Sequence, residues 1–421
     1  MDRKRKIIAA LADLKQDIAG PIPVDIISKW QQSGKTRHDQ KTILAPLERQ
    51  GYLVSTDSAG LSRLTAERDL LEVLNLVSIP KEIIFNIGRQ IGGRGVGIWA
   101  ADNSQMFYPA DRVSAGVLLD RMAAAQKVIH QQPVQVGMGI HKGKFWEIGQ
   151  GMFGEEADLI EQVAENFTEG KEILISDALK EELDAKLQSG LIKREDLNSF
   201  DRSFFTLNYD ELGQDFHRFK LPDPEVLADL EDKHFYPFAF SRDFFVALKQ
   251  MDLRAEARER LNEYFFNRVV ILVKVYHQKE RLLLDQLTDW VVVNALLNEI
   301  IVKYDVDTIK SNGDVGIFVT EKNSEALEMA EEILQYMKST DDQVSIGIAR
   351  GDVLIFNLEG GGKDIAGGAV NLASKISEDV PDKNSLYVDS SVEIPKNHLH
   401  KYDKFALDRS GLKLNGHKFH G

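Results

Sequence analysis

The chain has 421 residues, 43% hydrophobic and 28% charged, which predicts a globular protein of two or three domains. It contains no cysteine, which excludes disulfides and cysteine-ligated metal sites and fits a reducing, cytoplasmic setting. The net charge of −14 disfavours broad nucleic-acid contact, yet residues 1–65 carry 11 Lys/Arg against 7 Asp/Glu and form a basic end.

In chain order, the first apolar run sits in RKIIAALADLK, which repeats at helical spacing. Asp13 and Lys15 interrupt it too early for a signal peptide. No run approaches the roughly 18 apolar residues of a membrane span, so no membrane partner is expected. VDIISKWQQSG reads as a second helix and HDQKTILAPLERQ as a third. GYLVSTDSAGLSRLT then reads as two short strands around a turn holding Asp57, Ser58, Ala59 and Gly60. Three helices and a β-ribbon over residues 1–66 resemble a winged helix-turn-helix domain, with LERQGYLV…LSRLT similar to the third helix and wing of bacterial regulators. The resemblance implies that the third helix enters the major groove and offers Arg37, Gln40, Lys41 and Thr42 to DNA. Protein docking is the alternative use of such a module.

The body repeats itself. VQVGMGIHKG at 134–143 matches QVSIGIARG at 343–351, aligning Gly139 with Gly347 and Gly143 with Gly351. Each match follows a long helical stretch, RVSAGVLLDRMAAAQKVIH or SEALEMAEEILQYMK. Each precedes a glycine-rich turn, a helix (GEEADLIEQVAEN or GGAVNLASKISED) and a short strand (EILISD or SLYVDS). This predicts a duplicated α/β domain over 67–212 and 263–421, joined by a linker helix and an aromatic seam at 213–262 that contains HFYPFAFSRDFF. Gly93-x-Gly95-x-Gly97 lacks the helix a dinucleotide fingerprint needs and reads as a loop or the start of a strand. His398, His400, His417 and His420 read as a solvated tail.

In the second copy, DTIKSNGDVGIF at 307–318, VSIGIARG at 344–351 and DIAGGAVNLASK at 364–375 resemble a class III nucleotide cyclase homology domain in order and spacing. The resemblance implies an α/β (α+β) fold: a winged helix followed by two ferredoxin-like βαββαβ domains packed as a pseudo-dimer, helices on one face of each sheet. It also implies residue roles. Lys310 and Asp364 match the pair that reads adenine, the ammonium donating to a ring nitrogen and the carboxylate accepting from the exocyclic amine. Asn371 matches the asparagine that orients the ribose. Lys375 stands where the family carries an arginine that steadies the transition state, and lysine offers one compact charge in place of a fixed fork. Lys413 matches loosely a phosphate-contacting lysine.

The family's two metal aspartates hold Mg²⁺ or Mn²⁺ ions that clamp the triphosphate. Asp314 follows Gly313 as the second of them does, but RVVILVKVYHQK carries no acid, and Lys274 or Val275 stands at the first position. Copy one offers Asp57 and Asp102, 45 residues apart, if STDSAG belongs to a central strand and not to the wing. The wing is the expectation carried forward, with Asp102 in a hairpin turn beside Asn103. Copy one otherwise departs from the pattern, with Gly151, Asp158 and Gln162 at the positions of Asp364, Asn371 and Lys375. The favoured use is an adenine-nucleotide (ATP or cyclic AMP) sensor that signals to the winged helix as a transcriptional regulator. The alternatives are an active adenylate cyclase with one hybrid site, requiring Mg²⁺ or Mn²⁺, and a docking protein with both sites dead. The expected partners are an adenine nucleotide, DNA through residues 1–66 and a second copy of the chain.

Overall fold

The structure, a computed structural model, describes residues 24–59, 64, 68–97, 99, 103–197, 202–213, 240–252, 255–276, 281–311, 315–338, 340, 342–358, 362–378, 382–409 and 412–421. The chain divides into two compact units, Lys41–Arg254 and a second made of Met1–Gln40 with Ala255–Gly421. Two helices come first, α1 (Val24–Gln32) and α2 (Arg37–Leu44). The helix expected around RKIIAALADLK lies outside the described residues.

Copy one follows as β1 (Glu48–Ala59), α3 (Leu70–Arg89), β2 (Arg94–Val96), β3 (Ser104–Pro109), α4 (Ala115–Ile129), β4 (Gln135–Ile148), β5 (Gly151–Phe153), α5 (Glu155–Phe167) and β6 (Ile173–Ser176). Short helices α6 (Asp177–Lys180) and α7 (Ala185–Ser189) and strands β7 (Leu191–Lys193) and β8 (Phe204–Leu207) close it. The connecting helices are α8 (Arg242–Gln250) and α9 (Ala255–Asn262). Copy two runs β9 (Phe265–Tyr276), α10 (Leu283–Ile301), β10 (Asp307–Ser311), β11 (Val315–Thr320), α11 (Asn323–Met337), β12 (Gln343–Asn357), β13 (Lys363–Ala366), α12 (Gly368–Glu378), β14 (Ser385–Asp389), β15 (Tyr402–Arg409) and β16 (Leu412–Phe419).

The two sheets have the same strand order. The first is β2-β3-β1-β4-β6-β8-β7 with β5 paired to β4; the second is β10-β11-β9-β12-β14-β16-β15 with β13 paired to β12. β4 and β6 run parallel, as do β12 and β14, and the remaining pairings are antiparallel. Identical topology in both halves is what the sequence repeat predicts. The C-terminal histidines do not form a tail: β15 and β16 belong to the second sheet, and His398 Nδ1 lies 3.4 Å from Glu331 Oε1.

Strand residues alternate between faces, so each sheet buries two sets of side chains. In copy two, Val269, Ile271, Val273 and Val275 pack with α10 and α11. Val270 and Leu272, of opposite parity, pack with Ala369 and Ala373 of α12. Helices therefore cover both faces, where the family resemblance led us to expect one.

Among the described residues, the wing turn expected at Asp57, Ser58 and Ala59 is not formed. Residues 48–59 make one continuous strand, paired on one side with β3 and on the other with β4 along its full length. The Ser- and Asp-rich stretch stays extended because its hydroxyls find partners inside the sheet. Thr56 is buried, and its Oγ1 lies 2.5 Å from Ser104 Oγ on β3. Copy one therefore begins at Glu48, ahead of the expected boundary at 66/67.

Helix α1 and α2 as far as Gln40 join the unit that contains copy two. Trp30 is fully buried and donates from Nε1 to Asp285 Oδ1 at 3.0 Å. Gln40, expected on a DNA-reading face, is buried, and its Oε1 accepts the Leu284 N–H at 2.9 Å. The cap residue of α10, Leu282, has no side-chain acceptor for the free N–H groups of the first turn. Gln40 supplies one from a distant part of the sequence. Arg37, Lys41 and Thr42 are exposed. No described helix is long and apolar enough to cross a membrane.

Candidate functional site

Copy two places Lys310 on the α12 face of the sheet, Asn371 and Lys375 on α12 itself, and Asp364 on β13 opposite Phe356 of β12. Gly347 makes room for α12: a Cβ there would sit 2.1 Å from the Ala373 carbonyl oxygen and 3.1 Å from the Ser377 nitrogen. Only a bare backbone lets α12 settle onto β12. Gly139 plays the same part in copy one, where a Cβ would lie 2.8 Å from Ile160 Cδ1 of α5.

Gly367 turns the chain from β13 into α12 at φ +146°, with Asp352 O only 2.8 Å from where a Cβ would stand. Gly154 makes the corresponding turn in copy one at φ +113°. Beyond Gly367, Asn371 and Lys375 stand one helical turn apart on α12. Asn371 is exposed and Lys375 half-buried, and among the described residues Lys375 forms no ion pair.

Lys310 comes from β10 and Asp364 from β13, and the two strands lie against each other. Ile309 and Ile365, their chain neighbours, share one hydrophobic cluster. Asp364 is only 8% exposed, yet its one hydrogen bond among the described residues comes from the adjacent Ile365 N–H at 2.9 Å. Lys310 is half-buried and does not form an ion pair with Asp364. The surface salt bridge that would explain this pair without a ligand is therefore absent.

Strand register fixes the correspondence between copies. Asp57 lies opposite Gly137 on β4, and Lys274 opposite Ser345 on β12, positions related by the Gly139–Gly347 alignment. Asp57 is thus the structural counterpart of Lys274. Its parity with Leu53 places it on the face that α5 covers. Asp57, expected in a wing turn, is a half-buried residue of a central strand. Asp102 and Asp314 lie outside the described residues, as does the Lys413 side chain.

The same register gives Val96 opposite Gln105 and Lys310 opposite Ile317, so a buried valine in copy one stands where copy two has Lys310. Sequence comparison alone missed that substitution because β2 is three residues long and has no motif. Asp158 occupies the Asn371 position; the surrounding protein and the Glu155 charge push its carboxyl up to about 6.

Among the described residues no group of three His, Asp or Glu side chains comes together as a metal site. A divalent cation is a poor fit to copy two, where an ammonium replaces the first carboxylate. Asp57 in copy one is a donor of the right type, since Mg²⁺ is commonly held by one or two carboxylates together with substrate phosphates.

No family model matches the sequence, and no curated protein does. Solved structures do. A class III adenylyl cyclase-like ATP-binding protein from Pseudomonas aeruginosa is similar over 82% of this chain and 84% of that one, at 12% identity and a TM-score of 0.50. The guanylate cyclase domain of RhGC from Catenaria anguillulae in complex with GTP is 16% identical over 37% of this chain and 97% of that one, TM-score 0.32. The adenylyl cyclase CyaB from Pseudomonas aeruginosa is 16% identical over 38% of this chain and 94% of that one, TM-score 0.32. The likeness to the first is one of fold: this chain has a class III cyclase-like architecture.

Proposed function

We propose that the protein binds an adenine nucleotide, with Lys310 and Asp364 reading the base, Asn371 contacting the ribose and Lys375 facing the phosphates. The observation that carries this reading is the Asp364 carboxylate, which is buried, accepts the Ile365 N–H and has no cationic partner among the described residues. The exocyclic amine of adenine is a donor that this carboxylate could accept beside the Ile365 N–H. The class III cyclase-like fold and the ATP-binding character of one protein that shares it support the choice of ligand.

The sensing role is retained in altered form. DNA contact leaves the reading, because Gln40 is spent on α10 and the first expected wing strand belongs to the first sheet. The readout passes instead to the N-terminal helices that dock on α10. A ligand shifts such a docking equilibrium only by its differential affinity for the docked and released states.

The position of Asp57 on a central strand favours a second reading, an adenylate cyclase whose metal carboxylate is Asp57. When bound, a divalent cation neutralises phosphate charge and lowers the pKa of the attacking hydroxyl. Asp57 is the residue that would hold it.

Calorimetry with ATP, GTP and cyclic AMP separates these readings from a docking protein. ATP should bind, and Lys310→Ala or Asp364→Asn should weaken it about tenfold or more, which is roughly 1.4 kcal/mol. Unchanged affinity in both variants would sink the reading. Incubation of the parent with ATP and Mn²⁺ then tests turnover: cyclic AMP that disappears in Asp57→Ala establishes the second reading, and no product leaves the first.

A further inference from the structure

β10 contains a bulge that decides where Lys310 points. Thr308 lies opposite Phe318 on β11, but Lys310, two residues on, lies opposite Ile317. Ile309 is the extra residue. Without it, Ile309 would face Ile317 and Lys310 would face Gly316. A one-residue slip sends every side chain beyond it to the other face of the sheet. As built, Lys310 shares the α12 face with Ile317, and Ser311 shares the opposite face with Gly316, close to Leu297 of α10.

On that opposite face, Ser311 is held by one residue of α10. Ser311 Oγ donates to Asn294 Oδ1 at 2.6 Å, and Asn294 Nδ2 donates to the Ser311 carbonyl at 3.4 Å. Asn294 is 4% exposed, and both ends of its amide are directed at this one residue. A buried amide is costly unless satisfied, so in the slipped register, with Ser311 turned away, it would lose its partner. Copy one holds the corresponding hairpin in a related way. Lys81 of α3, also buried, donates to the Trp99 carbonyl at 3.0 Å.

We propose that Asn294 and Ser311 form a register pin that gives the site its adenine preference by fixing the face from which Lys310 projects. This rests on the nucleotide reading above. Asn294 and Ser311 are positioning residues: their effect on the ligand passes wholly through Lys310.

Two measurements test the pin. The first is ATP and GTP affinity by calorimetry. Ser311→Ala should weaken ATP about tenfold and narrow the ATP-to-GTP ratio, Ser311→Thr should retain both, and Lys310→Ala/Ser311→Ala should be no worse than Lys310→Ala alone. A purely structural role predicts losses that add. The second uses the absence of cysteine from the chain. Lys310→Cys/Ile317→Cys should cross-link in the parent register, and adding Ser311→Ala should lower that yield and raise cross-linking of a Lys310→Cys/Gly316→Cys pair, opposite each other only in the slipped register. Additive affinity losses, or a 310–317 cross-link indifferent to Ser311→Ala, overturn the proposal. A parent that binds no ATP overturns the nucleotide reading, and the cross-link then decides the register by itself.

Discussion

Lys249 and Glu82 bring opposite charges out of water where α8 meets α3. Their side chains are 8% and 3% exposed, and they form an ion pair that Ser78 joins by donating to Glu82 Oε1 at 3.0 Å. Burial pushes the Glu82 carboxyl up from its ordinary range and the Lys249 ammonium down, each partner opposing the shift in the other. Such a pair adds little net stability when intact, but breaking it leaves an uncompensated buried charge. Lys249→Met should therefore destabilise the protein by about 3–5 kcal/mol in urea melts, and Lys249→Met/Glu82→Leu should recover most of that loss. A single-variant cost below about 1 kcal/mol would mean that water reaches Glu82. Nothing in the sequence marks this pair, because a lysine in VALKQ and a glutamate in PKEII each read as helix-surface charges. Burial of a charge depends on which helices meet, and periodicity within one helix carries no such information.

At the scale of elements, α12 presents Asn371 and Lys375 from a seat made by glycine, and neighbouring glycines differ sharply in what they permit. Gly347→Ala would drive a methyl into the Ala373 carbonyl, so α12 must move. A cost of about 2 kcal/mol or more is expected, with weakened nucleotide affinity, since the ribose contact moves with the helix. Gly368 has nothing within 4 Å of a Cβ and lies in the first turn of the helix. Gly368→Ala should be neutral or stabilising by up to about 1 kcal/mol, with affinity unchanged. Thermal melts and ATP titrations of the two variants check the contrast. The Gly139–Gly347 match was legible as a repeat because close approach of helix and strand leaves a fixed residue type at a fixed place. β1 was legible only in its first half: GYLV read as a strand, while STDSAG read as a turn with the central strand as the alternative. Ser55, Thr56, Asp57 and Ser58 have turn-like composition, and the partner that keeps them extended, Ser104, lies 48 residues away. The same non-local pairing concealed the bulge at Ile309, which is visible only once β11 lies beside β10.

At the scale of the whole molecule, the chain does not follow the order in which its domains read. The basic N-terminal segment looked like a module of its own, since three amphipathic helices before a polar ribbon need no other partner to form one. Its second helix, and its third as far as Gln40, instead complete the unit built from Ala255–Gly421, through Trp30 on Asp285 and Gln40 on Leu284. The expectation that follows distinguishes a separate module from an integral part. Deleting residues 1–40 uncovers the indole contact and orphans the N–H of Leu284 in the first turn of α10. A buried hydrogen bond contributes about 1 kcal/mol and a buried large apolar side chain about 1.5–3 kcal/mol. Amide protection in Leu283–Ile301 should therefore fall by roughly 2–4 kcal/mol equivalent, while protection in Ala115–Ile129 of the other unit stays as it was. Gln40→Ala in the full chain should reproduce about 1 kcal/mol of this loss, confined to the first turn of α10. A self-contained winged helix would leave α10 protected after the deletion. Because α10 also holds Ser311 through Asn294, the same deletion should lower ATP affinity without touching any residue that meets the nucleotide. Loss of α10 protection with full ATP affinity would separate the docking of the N-terminal helices from the nucleotide site and remove the readout proposed for them.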